Sequence, residues 1–171
     1  HQRQRSLFKC STSRNRILMK KIIKHFKTLL PCEQFVVTGS YVLALNGIYD
    51  MSRVKDLDII LVNPTPESLG IISRLMDGSP AKTKPKDGSE LKAILMHDGI
   101  KVDFFVKDKK QATLQLPDFE IAKVDSIVSA KKSYKRIKDE LQLRKMSKLF
   151  FDHSDFIKFL DTVEIQNQEY Q

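Results

Sequence analysis

The chain has 171 residues, 41% of them apolar and 30% charged, with a formal net charge of +9. That balance suits one folded domain and excludes a low-complexity or disulfide-stapled chain. No apolar run reaches the ~18 residues of a membrane-spanning helix, His1-Gln2-Arg3 opens no secretory signal, and Cys10 and Cys32 fall outside any Cys-x-x-Cys spacing; a cytoplasmic protein with free thiols and no membrane partner is expected.

The positive charge is uneven. Residues 1–32 carry nine basic side chains (Arg3, Arg5, Lys9, Arg14, Arg16, Lys20, Lys21, Lys24 and Lys27) and no acidic one, whereas the rest of the chain has 21 of each sign. Two readings stand: a solvated helix face, or an electrostatic footprint for a polyanion such as RNA, with Arg14, Arg16, Lys20, Lys21, Lys24 and Lys27 as candidate contacts.

In chain order, residues 1–12 read as a basic, frayed arm. Ser13 or Asn15 is a candidate cap for a helix to about Leu30, in which Ile17, Leu18, Ile22, Phe26, Leu29 and Leu30 recur at helical spacing and which Pro31 ends. Phe35 to Thr38 reads as a buried strand. Gly39-Ser40 turns into a short helix from Tyr41 to Asn46, stopped by Gly47. Leu57 to Val62 is a second strand, and a helix follows from Thr65, a cap candidate, to Met76. Residues 77–90, with two Gly, two Pro and three Lys, read as a mobile loop. Leu91 to Met96 and Ile100 to Val106 form a predicted hairpin across His97-Asp98-Gly99, since Asp-Gly favours a tight turn. Thr113 to Leu116 is a short strand closed by Pro117. Helices are expected over about 123–137, 138–150 and 153–163, with a polar tail over 164–171. The implied organisation is an arm (1–12), a core with its N-terminal helix (13–117), a C-terminal helical segment (118–163) and the tail.

The chemistry concentrates on three aspartates. An apolar run ends in Gly39-Ser40, and fifteen residues later (41–55) a second opens with Asp56-Leu57-Asp58. Strand side chains alternate, so Asp56 and Asp58 share a face while Leu57 and Ile59 point to a core. Two carboxylates at about 4 Å repel by roughly 4 kcal/mol at an effective dielectric near 20. Such a pair either shares a proton or binds a cation, and hard divalent ions such as Mg²⁺ take oxygen ligands of this type. Gly39 and Ser40 offer exposed backbone N–H groups and a hydroxyl to a phosphate. Asp103, between Val102 and Phe104, is either an edge residue facing water or a third ligand; with the pair it would complete a two-metal site.

Gly-Ser, a spacer, Asp-x-Asp on a strand and a third Asp on a later strand together resemble the minimal nucleotidyltransferases of the DNA polymerase β superfamily. The resemblance covers residues 35–106. It implies an α+β nucleotidyltransferase fold, a small mixed β-sheet flanked by helices. It also implies that Gly39 and Ser40 hold NTP phosphates, that Asp56 and Asp58 bind Mg²⁺ (two ions in all), and that Asp103 helps to activate an acceptor hydroxyl. Ile127-Val128-Ser129-Ala130-Lys131-Lys132 and Arg136-Ile137-Lys138-Asp139 resemble elements of the AbiEii-like branch, which contains toxins of toxin–antitoxin and phage-defence systems. There Lys131 or Lys132 would touch the triphosphate; a solvated helix face is the competing reading. Gln142 stands where that branch often has a second Asp. The implied activity is transfer of NMP from an NTP such as ATP to a hydroxyl, RNA such as a tRNA 3′ end being the favoured acceptor. AMPylation of a partner protein, a small-molecule acceptor, a cognate antitoxin or toxin partner, and a non-catalytic binding module are the alternatives.

Overall fold

A computed structural model describes residues 2–76 and 90–134, with side chains over 14–76 and 93–131. The elements are α1 (Gln2–Leu29), β1 (Cys32–Thr38), α2 (Ser40–Leu45), a 3₁₀ turn (Met51–Arg53), β2 (Asp56–Pro64), α3 (Pro66–Leu75), β3 (Glu90–His97), β4 (Ile100–Lys107), β5 (Thr113–Gln115), β6 (Glu120–Ala122) and α4 (Val124–Tyr134). The six strands form one mixed sheet in the order β3-β4-β2-β1-β6-β5. The protein is therefore α+β, with helices beside a mixed sheet. The expected loop falls almost wholly outside the described residues, as do the expected helices over 138–150 and 153–163 and the tail.

The apolar runs explain the sheet. β2 carries Ile59, Ile60, Leu61 and Val62 in succession, all buried, which is the composition of a central strand covered on both faces. It pairs antiparallel with β1 and parallel with β4. The β3–β4 hairpin turns through Asp98 (φ 49°) and Gly99 (φ 79°), the pair of left-handed residues that a tight two-residue turn needs. Thr65 caps α3 as its spacing suggests, its hydroxyl accepting from Ser68 N at 3.1 Å. The buried Ser68 hydroxyl donates to Pro31 O at 2.6 Å and so pins α3 to the start of β1.

α1 covers one face of the sheet. Met19, Ile22, Ile23, Phe26 and Leu30 are buried. Phe26 meets Phe104 edge-on, with ring centroids 5.1 Å apart. Phe104 is level with Ile59 on β2, so α1 lies on the Leu57–Ile59–Leu61 face and leaves the opposite face to the aspartates. Three details differ from the sequence reading. The helix begins at Gln2 rather than near Ser13, so residues 2–12 are helical and continue α1. Asn15 is no cap; its Nδ2 donates to Met51 O at 3.0 Å and Val54 O at 3.3 Å. It moors α1 to the segment that leads into β2. Ile17, expected on the apolar stripe, is 63% exposed.

β6 is the element that the sequence did not reveal. It pairs parallel with β1 through Val36–Glu120 and Val37–Ile121, so the sheet continues past Pro117, just ahead of the helix expected from about residue 123. Gln34 Nε2 and Thr113 Oγ1 each donate to Glu120 Oε2 at 2.8 Å; these bonds hold the Glu120 carboxyl below its usual range. α4 follows within the expected limits.

Because Phe104 joins α1 to the sheet, Phe104→Ala is expected to lower stability by about 3–5 kcal/mol, read as a lower urea midpoint with little change in the slope of the transition.

Candidate active site

The aspartates meet because of strand register. In the parallel β2–β4 ladder Asp58 is level with Asp103, and Asp56 with Lys101. On the other side Asp58 is level with Thr38, the last residue of β1. One strand end therefore gathers Thr38 and Gly39 from β1, Asp56 and Asp58 from β2, and Asp103 from β4. Neither β2 nor β4 alone could do this; the sequence spacing between Asp58 and Asp103 is closed by their pairing.

Gly39 explains why β1 ends as it does. Its φ of 80° and ψ of −159° belong to a region open essentially to glycine alone. A Cβ there would overlap Asp58 Oδ2 and lie 3.0 Å from Asp58 Cγ. The backbone thus passes directly against the Asp58 carboxyl, and Ser40 begins α2 beside it. Gly39, the first residue of the expected phosphate turn, thus lies directly against Asp58.

Electrostatics mark the same spot. The Asp58 carboxyl is pushed up to about 7 from 3.8, first by loss of water and then by the neighbouring Asp103 charge and a hydrogen bond with Asp103; Asp56 adds to the rise and the Lys131 ammonium opposes it. Two like charges this close cannot both ionise cheaply, so burial and the neighbouring carboxylate favour the protonated form of Asp58. Lys131 is half-buried on α4, and its charge acts on Asp58. Lys132 lies on α4, but its side chain is outside the described set. One partner was missed: Lys101 Nζ lies 3.7 Å from Asp103 Oδ2. Its place two residues before Asp103 was a visible signal, since residues i and i+2 share a strand face.

The donor set is carboxylate oxygen throughout, which suits a hard divalent cation. Asp58 and Asp103 converge, and Asp56 lies on the same strand face. Among the described residues no group of three or more His, Cys, Asp or Glu is drawn together tightly enough to hold a metal ion unaided. Carboxylate oxygen is the donor type that Mg²⁺ takes, and Asp58 and Asp103 are the pair that meets.

The candidate polyanion contacts divide. Lys20 and Lys24 pair with Asp118 Oδ2 at 3.2 and 3.5 Å, and Lys27 Nζ donates to Asp118 O at 2.9 Å. Asp118 lies in the β5–β6 turn, which Leu116 N closes on Phe119 O. These three lysines are structural ties that hold α1 to the β5–β6 turn, and the structure does not bring them to the aspartates. Arg14 and Lys21 are exposed and Arg16 is half-buried; Arg14 adjoins Asn15, which bonds the segment before β2. Cys32 is a free thiol, as expected. No helix among the described residues is long and apolar enough to cross a membrane. Comparison of the chain with protein-family models, with curated proteins and with solved structures gives no match in any of the three.

Two outcomes follow. Gly39→Ala should cost about 1–3 kcal/mol from backbone strain alone, and more with the overlap onto Asp58. In an Asp58→Ala background the added cost should fall, a coupling that a double-mutant cycle in urea measures. The second concerns pH. The folded-state pKa of Asp58 lies above its ordinary 3.8, so the native state binds the extra proton. In the presence of a chelator, stability should therefore decline as pH rises from about 4 through 7 and level off above that. Asp58→Asn should flatten this decline and gain most over wild type near pH 8, as read from urea midpoints across that range.

Proposed function

We propose that the protein is a Mg²⁺-dependent nucleotidyltransferase that moves NMP from an NTP to an acceptor hydroxyl. The observation that carries the reading is the convergence of Asp58 and Asp103 on adjacent parallel strands, with Gly39 packed against Asp58. A mixed sheet whose first strand delivers Gly39-Ser40 to that pair supports the same reading.

Asp56, Asp58 and Asp103 would hold the cations, two being expected. When bound, Mg²⁺ supplies charge neutralisation for the triphosphate and acidity for the acceptor hydroxyl. The chain's own residues do the rest. Gly39 lets the backbone approach the phosphates without a side chain in the way, and Ser40 offers them its hydroxyl. Lys131, whose charge already reaches Asp58, is the candidate for the triphosphate. Asp58, whose carboxyl is held above its ordinary value, must be deprotonated before both carboxylates can act as oxygen donors. Asp103 then accepts the proton of the acceptor hydroxyl. The acceptor oxygen bonds to the α-phosphorus, the bond from that phosphorus to the α–β bridging oxygen breaks, and pyrophosphate departs. Positioning and charge neutralisation account for most of such catalysis.

RNA is the favoured acceptor because the chain's positive charge is concentrated in α1. A second reading, a protein hydroxyl, gains from the engagement of Lys20, Lys24 and Lys27 with Asp118, which leaves fewer α1 cations for a phosphate backbone. Incubation with each α-labelled NTP, Mg²⁺, total RNA and a cell extract separates them. Label on RNA supports the first reading and label on a protein the second. Asp58→Asn is expected to lower transfer by about 10²–10³-fold; equal transfer by wild type and variant would overturn the assignment.

A further inference from the structure

A fourth charged side chain shares the face of the aspartates. Lys101 and Asp103 are two residues apart on β4 and so point the same way. Lys101 is level with Asp56, and Asp103 with Asp58. The four positions form a two-by-two patch on neighbouring strands, three corners acidic and one basic. The Lys101 backbone N–H donates to Lys55 O at 3.3 Å, tying that end of β4 to β2. Its Nζ is 3.7 Å from Asp103 Oδ2, the lysine side chain being 41% exposed and that of Asp103 13% exposed. The ammonium therefore sits at the mouth of the patch with a route to solvent, while the carboxylate it faces is enclosed.

We infer that Lys101 is a tethered counter-ion of the carboxylate patch, competing with a divalent cation for Asp103 and setting the concentration at which that cation binds. The inference rests on the cation reading proposed above. An ammonium on a flexible stem is already at the site, so it neutralises part of the patch whenever no dication is bound. A dication on the same oxygens meets that charge at close range, and the four-carbon stem must then swing the ammonium outward. At about 5 Å in a water-like medium, removing one positive charge strengthens binding of a dication by roughly tenfold. Added salt reduces the difference. Lys101 acts through Asp103 and is a positioning residue.

Calorimetric titration of chelator-treated protein with Mg²⁺ alone, then Mn²⁺ alone, tests this in wild type, Lys101→Met, Lys101→Gln and Lys101→Arg. Both neutral variants are expected to bind roughly tenfold more tightly than wild type at low ionic strength, with the advantage shrinking at high salt, while Lys101→Arg keeps an affinity close to wild type. A purely structural lysine would not produce this charge-dependent pattern. Measurable binding that is equal or weaker in the neutral variants overturns the inference and leaves the cation site standing. Absence of binding in all four proteins overturns both.

Discussion

Two carboxyl groups that repel each other set the terms for the rest of this structure. Asp58 and Asp103 lie level on adjacent parallel strands, largely removed from water, and the Asp58 carboxyl is pushed well above its ordinary value. A site of this kind opposes folding, because burial disfavours the charged form and each charge disfavours the other. The surrounding sheet must over-determine the geometry. It does so with Leu57, Ile59, Val102 and Phe104, all fully buried and alternating with the aspartates along the same two strands. The apolar face stabilises the arrangement that the acidic face resists.

Gly39 and α1 are consequences of the same constraint. Asp58 leaves no room for a side chain where β1 ends, so the chain must leave the strand through a backbone conformation that only glycine adopts readily. α1 then closes the opposite face. Its Asn15 holds the segment before Asp56, and its Phe26 packs on Phe104 next to Asp103. Both strands that carry the acidic pair are thus supported from behind by one helix. The far ends of β1 and β2 are fixed separately, through Ser68 and Pro31.

Charge shows most clearly how context changes a residue's meaning. Nine basic residues without an acidic neighbour in sequence suggest a surface waiting for a polyanion. Asp118, far along the chain, takes three of them. Lys101, which looks unremarkable in sequence, stands beside Asp103 in space. Exposed ion pairs of the Asp118 type contribute little stability individually, but two on its carboxylate and a third lysine on its backbone carbonyl tie α1 to the β5–β6 turn.

Local chemistry wrote much of this protein into the sequence. Alternating and continuous apolar runs specify β1, β2 and the β3–β4 hairpin, Asp98-Gly99 specifies the turn, and Thr65 specifies the start of α3, because each depends on neighbours within a few residues. Asp56 and Asp58 share a face by strand period alone. What needed the tertiary structure is whatever depends on pairing across the chain. Asp103 becomes a partner of Asp58 only through parallel β2–β4 register, which no local pattern encodes. β6, three residues long, is too short to carry a period and exists because β1 offers it an edge. Asn15 reads as a cap until the segment before β2 supplies carbonyls for its amide. The sequence determined which carboxylates and which glycine were candidates for one site; the sheet decided which of them meet, because hydrogen-bonded register rather than spacing sets distance between strands.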